Sequence, residues 1–154
     1  HSMLVDLARN DLNRHCTSVK GPEYKTITFF SHVWHMVSTV KGDLNPKTNS
    51  IEILADTFPA GTLSGAPKVR AIQLLADIEK NPRGFYGGSI GFIDFNGDIN
   101  QAIIIRSFLS KNNHIYFRAG AGVVLKSDPE TELQEVNNKV AALKKALIEA
   151  QKLT

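Results

Sequence analysis

One cysteine, Cys16, stands in 154 residues, so no internal disulfide can form, and the usage fits a reducing, cytoplasmic compartment. No apolar run approaches the ~20 residues that span a bilayer, and no signal-peptide pattern is read, so no membrane role is expected. Nor is there a block of like charge. The 18 Lys and Arg scatter among 15 Asp and Glu, for a formal charge of +3 and a pI of about 9.0. A nucleic-acid partner is therefore not signalled. Repeats and low-complexity tracts are also missing. What is present is a chain with 42% hydrophobic residues, enough for one ordinary core.

The spacing of Leu4, Leu7, Ala8 and Leu12 predicts a helix over residues 3–15, with Arg9-Asn10-Asp11 as a solvated helix end or an internal salt bridge. Residues 24–41 are rich in β-branched and aromatic side chains. From Ser31 on, Val33, His35, Val37 and Thr39 share one face, and Trp34, Met36, Ser38 and Val40 the other. Both faces are partly apolar, which predicts a strand inside a sheet. His35 reads either as a hydrogen-bonded core histidine or as a group that titrates near neutrality and can transfer a proton. His32 points to the opposite face of such a strand, which argues against a two-histidine metal site. Ser50 is read as the cap of a short helix over 51–56.

Residues 58–71 run Phe-Pro-Ala-Gly-Thr-Leu-Ser-Gly-Ala-Pro-Lys-Val-Arg-Ala. Ser64 can cap the helix expected over 66–80, and Pro67 suits its first turn. Backbone N–H groups, the Thr62 and Ser64 hydroxyls and a positive helix end together suit a carboxylate or phosphate. This is not a Walker loop: Gly61 to Gly65 is too short, and Lys68 does not directly follow a glycine. Lys68 and Arg70 read as solvated helix cations. Residues 87–95, 99–109 and 114–124 read as an antiparallel meander, turning at Asn96-Gly97 and at Lys111-Asn112-Asn113. Arg106 follows Ile103-Ile104-Ile105 in a run expected to be buried, where an arginine needs an internal acid or a bound carboxylate. Tyr86 could offer its hydroxyl to the same anion. Gly120 and Gly122 would let a ligand approach the backbone. Ser127 and Glu130 form a capping-box pattern before a last helix. Its stripe is Leu133, Val136, Val140, Leu143 and Leu147, with Glu132, Glu135 and Lys139 on the next stripe. That second stripe is either a surface acid patch paired with Lys139 or a pair of carboxylates able to hold a hard cation such as Mg²⁺.

Four segments in order, 3–11, 58–71, 83–91 running on to Arg106, and 119–122 with the helix that follows, resemble the chorismate-utilising enzymes. The resemblance covers nearly the whole chain but only the C-terminal part, roughly the last third, of such an enzyme. It implies an α+β fold, a largely antiparallel sheet with helices packed on it, forming part of the larger chorismate-binding sandwich. On this reading the chain is the C-terminal part of a catalytic domain. Family members carry a Glu-His pair just before the Met3-Leu4-Val5-Asp6 run, so the glutamate would fall before His1. His1-Ser2 could instead be an added leader.

The resemblance also implies roles. His35 would serve proton transfer, and Thr62 and Gly65 would contact or shape the substrate pocket. Tyr86, Arg106 and Gly120 would receive the enolpyruvyl carboxylate, with Gly122 beside them among the substrate-binding residues. Lys139 would balance the anionic site, and Glu132 and Glu135 would hold Mg²⁺. It implies that the 9–11 trio is structural, holding the loop beside the site. Members make anthranilate, aminodeoxychorismate, isochorismate or salicylate, and the 59–65 and 83–88 segments look most like the anthranilate-forming branch, which serves tryptophan biosynthesis. The implied partners are chorismate and either a glutamine amidotransferase subunit or free ammonia. A fragment of this kind is expected to be inactive alone; the alternative reading is a non-catalytic binding or scaffold domain, and exposed sheet edges would allow self-association.

Overall fold

The computed structural model describes residues 1–29 and 34–152. The elements are α1 (Ser2–Leu12), β1 (Cys16–Phe29), β2 (Trp34–Leu44), α2 (Ser50–Thr57), α3 (Gly61–Ser64), α4 (Lys68–Ile78), β3 (Ser89–Ile93), β4 (Ile99–Ile103), β5 (Leu109–Lys111), β6 (His114–Tyr116) and α5 (Pro129–Gln151). They form an α+β chain with two compact units. The first is His1–Leu75 with Phe92–Asn100, and the second is Ala76–Gly91 with Gln101–Thr154. Among the described residues no helix is long and apolar enough to cross a membrane.

In the first unit β1 and β2 pair antiparallel from Cys16 opposite Leu44 to Phe29 opposite Trp34, with three register irregularities along β1. α1 packs against this pair and against α2 and α3. The pair has two strands among the described residues, so β2 does not lie inside a wider sheet as its two apolar faces suggested. Trp34 is 76% exposed, and Phe29, Ile27 and Met36 are also exposed. The expected positions of His32 and Val33 lie outside the described residues.

β3 and β4 form a second pair and β5 and β6 a third. The two turns arise locally, as expected. Gly97 takes φ 88° while Asp94 Oδ1 accepts from the Asn96 and Asp98 amides at 2.9 and 3.0 Å. Asn112 and Asn113 both have positive φ, the conformation a two-residue hairpin turn requires. The third long strand expected over 114–124 is not formed, because pairing stops at Tyr116. Among the described residues, the buried apolar side chains are Val140 and Leu143 of α5. They lie on the stripe read from the sequence, while Leu133 on that stripe is exposed. The ordinary core expected from composition is therefore small, since two-stranded sheets leave much apolar surface uncovered.

The caps of α2 and α5 fall one residue from their expected places. Asn49, not Ser50, caps α2 in a full capping box with Glu52, and the Ser50 hydroxyl donates instead to the Gly97 carbonyl at 2.6 Å. Asp128, not Ser127, caps α5 by accepting from the Thr131 amide at 3.0 Å. The Thr131 hydroxyl and amide hold the Asp128 carboxyl below its usual range.

Candidate functional site

In the second unit the loop before α5 is gathered onto that helix. Lys139 sits one turn after Glu135, and its Nζ reaches Glu135 Oε1 at 2.5 Å and the Gly120 carbonyl at 3.0 Å. The Ser127 hydroxyl donates to Glu132 Oε1 at 2.5 Å and accepts from the Val124 amide at 3.0 Å. Tyr86 also stands near Gly120. A β-carbon on Gly120 would lie 3.5 Å from the Tyr86 hydroxyl. The Gly87 and Gly88 backbone that follows is pinned to Ile104, with Gly87 N to Ile104 O at 2.9 Å and Ile104 N to Gly88 O at 2.8 Å. A half-buried tyrosine hydroxyl, a glycine backbone, an ammonium and two carboxylates thus converge around Gly120 and α5.

Glu132 has one oxygen satisfied by Ser127, while its Oε2 is buried with no hydrogen-bond partner. An orphaned carboxylate oxygen one helical turn from Glu135 fits a hard divalent cation. Among the described residues no group of three or more His, Cys, Asp and Glu is arranged to hold a metal, and Glu135 is paired with Lys139.

One sequence-predicted residue of this unit differs from expectation. Arg106 is exposed, not buried. β4 ends at Ile103, the Ile105 amide bonds back to the Ile103 carbonyl at 3.0 Å, and the chain bends so that Arg106 takes φ 52°. A left-handed non-glycine residue is a strained conformation. Gly122 has open space where a β-carbon would stand, so crowding does not require a glycine there. Sequence reading also passed over Arg83, whose guanidinium grips Glu79 with contacts of 2.6–3.1 Å and holds that carboxyl below its usual range. The i to i+4 spacing across the end of α4 was the available signal.

In the first unit the 58–67 segment forms the short helix α3 and the turn after it. The Leu63 and Ser64 amides bond to the Ala60 carbonyl at 2.9 and 3.2 Å, and the Gly65 amide to Gly61 at 2.8 Å. These amides are therefore consumed within the loop, not open to an anion. Ser64 is 7% exposed and ends α3, so it does not cap α4. Thr62 is exposed, and Gly65 turns at φ 108°, a conformation that favours glycine. His35 is half-buried opposite Thr28 in the β1–β2 pair. Lys68 is not a solvated cation: Asp11 Oδ2 lies 2.9 Å from its Nζ.

The chorismate binding enzyme family matches residues 1–145. The chain is 49% identical to anthranilate synthase component 1 of Neisseria meningitidis over 148 residues, which is 95% of this chain and 30% of that protein. It is 47% identical to the Mycobacterium bovis protein of the same name over 99% of this chain and 30% of that one. Among solved structures, anthranilate synthase component I from Streptococcus pneumoniae superposes with a TM-score of 0.84 at 45% identity, covering 90% of this chain and 32% of that one. An isochorismate synthase from Bacillus anthracis described as 2,3-dihydroxybenzoate-specific also reaches 0.84, at 34% identity, covering 96% of this chain and 40% of that one. The chain thus spans about 30% of the length of the curated relatives it matches.

Proposed function

The chain belongs to the chorismate-binding enzyme family, and from that premise we propose that it serves the amination of chorismate to anthranilate. The observation that carries this reading is the grading of likeness. Identity is 45–49% to the anthranilate synthase components and 34% to the isochorismate synthase. The second reading, water instead of ammonia as nucleophile to give isochorismate, rests on that equally good superposition.

Chorismate carries two carboxylates. The Tyr86 hydroxyl and the Gly120 backbone are within reach of each other and suit the side-arm carboxylate, to which Arg106 would add a bidentate guanidinium. Gly122 keeps the adjoining backbone open to ligand. Glu132 and Glu135 would hold Mg²⁺, whose charge draws electron density from the ring when it is bound. Lys139 then balances the charge of the carboxylates beside it. Ammonia adds at C2 as the C4 hydroxyl leaves as water. Loss of pyruvate, with a proton taken from C2 and one given to the leaving arm, aromatises the ring. His35 is assigned to proton transfer at this elimination, and Thr62 and Gly65 to substrate contact. Ammonia would come free or from a glutamine amidotransferase subunit.

The test is product identity. The chain replaces the matching segment of the Streptococcus pneumoniae enzyme, and the hybrid receives chorismate, Mg²⁺ and ammonium. Anthranilate fluorescence is expected. Isochorismate in its place favours the second reading, and no chorismate consumption by a folded hybrid overturns both.

A further inference from the structure

Lys68 opens α4, and its side chain turns back across the loop that precedes it. Its Nζ donates to Asp11 Oδ2 at 2.9 Å, to the Asp56 carbonyl at 3.1 Å and to the Thr57 carbonyl at 3.4 Å. An ammonium has three N–H donors and no acceptor. Three donors therefore meet three acceptors, and none remains for an anion arriving from solvent. The side chains of Lys68 and Asp11 are only 18% and 15% exposed.

The positions of the acceptors give this contact its meaning. Asp56 and Thr57 end α2, where carbonyls lack helical partners, and they stand directly before the 58–67 loop. Lys68 stands directly after it. One ammonium thus bridges the two ends of the loop, and Asp11 ties the bridge to α1. The Asp56 side chain is held as well, by the His15 ring and by Arg14 Nη1 at 3.1 Å. Inside the span, the amides of Leu63, Ser64 and Gly65 are all bonded within the loop. Its shape is therefore fixed by its own hydrogen bonds and by the distance between its ends.

We propose that Lys68 is a positioning residue: clamped to Asp11, it closes the 58–67 loop and so presents Thr62 and Gly65 to substrate. The substrate half of this rests on the function proposed above; the clamp stands on the geometry alone. An arginine can keep the Asp11 ion pair, but its planar fork cannot serve two carbonyls and a carboxylate set around an ammonium.

Amide exchange on the chain tests the clamp. In Lys68→Met the Leu63, Ser64 and Gly65 amides are expected to exchange at least about tenfold faster, with the Val140 and Leu143 amides of α5 unchanged. Unchanged loop exchange overturns the clamp. Should Lys68→Met fail to fold, Asp11→Asn, which leaves both carbonyl bonds in place, is read the same way. In the hybrid enzyme Lys68→Met raises the chorismate KM at least about tenfold with a smaller change in kcat, and Lys68→Arg recovers part of the loss. A loosened loop with unchanged KM overturns the positioning role. A wild-type hybrid that does not turn over chorismate overturns the functional reading and the substrate half of this proposal, and the exchange result then judges the clamp by itself.

Discussion

Replacing Gly61 with alanine tests whether the loop is seated on α1 as described. A β-carbon there would stand 2.8 Å from Leu7 Cδ1 and 3.3 Å from both Leu7 Cβ and Cγ, against an optimum near 3.5–4.0 Å for carbon pairs. The Cδ1 atom can swing away. The Cβ and Cγ atoms are carried by the α1 backbone, so relief requires α1 and α3 to separate by several tenths of an ångström. Overpacking of this kind costs about 1–3 kcal/mol. The stiffer unfolded chain returns about 0.4–1 kcal/mol. Gly61→Ala should therefore destabilise the first unit by about 1.3 kcal/mol at mid-range and by at most about 2.6 kcal/mol, read by urea unfolding and by faster exchange of the Leu63 and Gly65 amides. Leu7→Ala removes Cγ and Cδ1, so Gly61→Ala in that background should cost at least about 1 kcal/mol less, a coupling within the range for touching residues. Equal cost in both backgrounds would refute the α1–α3 contact as the reason a glycine stands there.

Two further outcomes follow from other parts of the chain. Mg²⁺ should raise the melting temperature of the protein, and Glu132→Gln should abolish that rise, since it removes the charge from the carboxylate whose Oε2 is buried without a partner; a rise that persists in the variant contradicts the metal assignment. The His15 hydrogen bond, aided by Arg14, holds the Asp56 carboxyl below its ordinary 3.8, with the Lys68 ammonium on the Asp56 carbonyl nearby. A depressed carboxylate pKa contributes stability that is present above the ordinary value and lost as pH falls through the folded value. Asp56→Asn should therefore melt below wild type at pH 7, and the gap should close as pH falls below about 4; a gap independent of pH would contradict it.

The features legible in the sequence were those decided locally. Asn96-Gly97 and Asn112-Asn113 fold as turns because their own backbone preferences demand it. The α5 stripe held from Val136 onward because helical spacing alone brings Val140 and Leu143 to one side. The caps slipped by one residue because each lay in a pair of cap-capable residues, Asn49 and Ser50, Ser127 and Asp128. Side-chain contacts chose between them, a distant one sending the Ser50 hydroxyl to Gly97 and a local one sending the Ser127 hydroxyl to Glu132. The burial of Arg106 was inferred from three preceding isoleucines, but the strand ends before it. Lys68 was out of reach for a different reason. Its charged partner, Asp11, lies 57 positions away, and helical periodicity reports only neighbours. The sign of a partner was visible in the Arg9-Asn10-Asp11 trio, but not which cation would meet it.

The most direct test of the account is equilibrium binding of chorismate, with Mg²⁺ present, to the hybrid enzyme carrying this chain, compared with the same hybrid carrying Tyr86→Phe and Lys139→Met. The Tyr86–Gly120–Lys139 arrangement predicts saturable binding that the double variant weakens at least about tenfold, equivalent to ~1.4 kcal/mol, with its fold unchanged by circular dichroism. Equal affinity in both proteins would contradict the assignment of this cluster as the chorismate site.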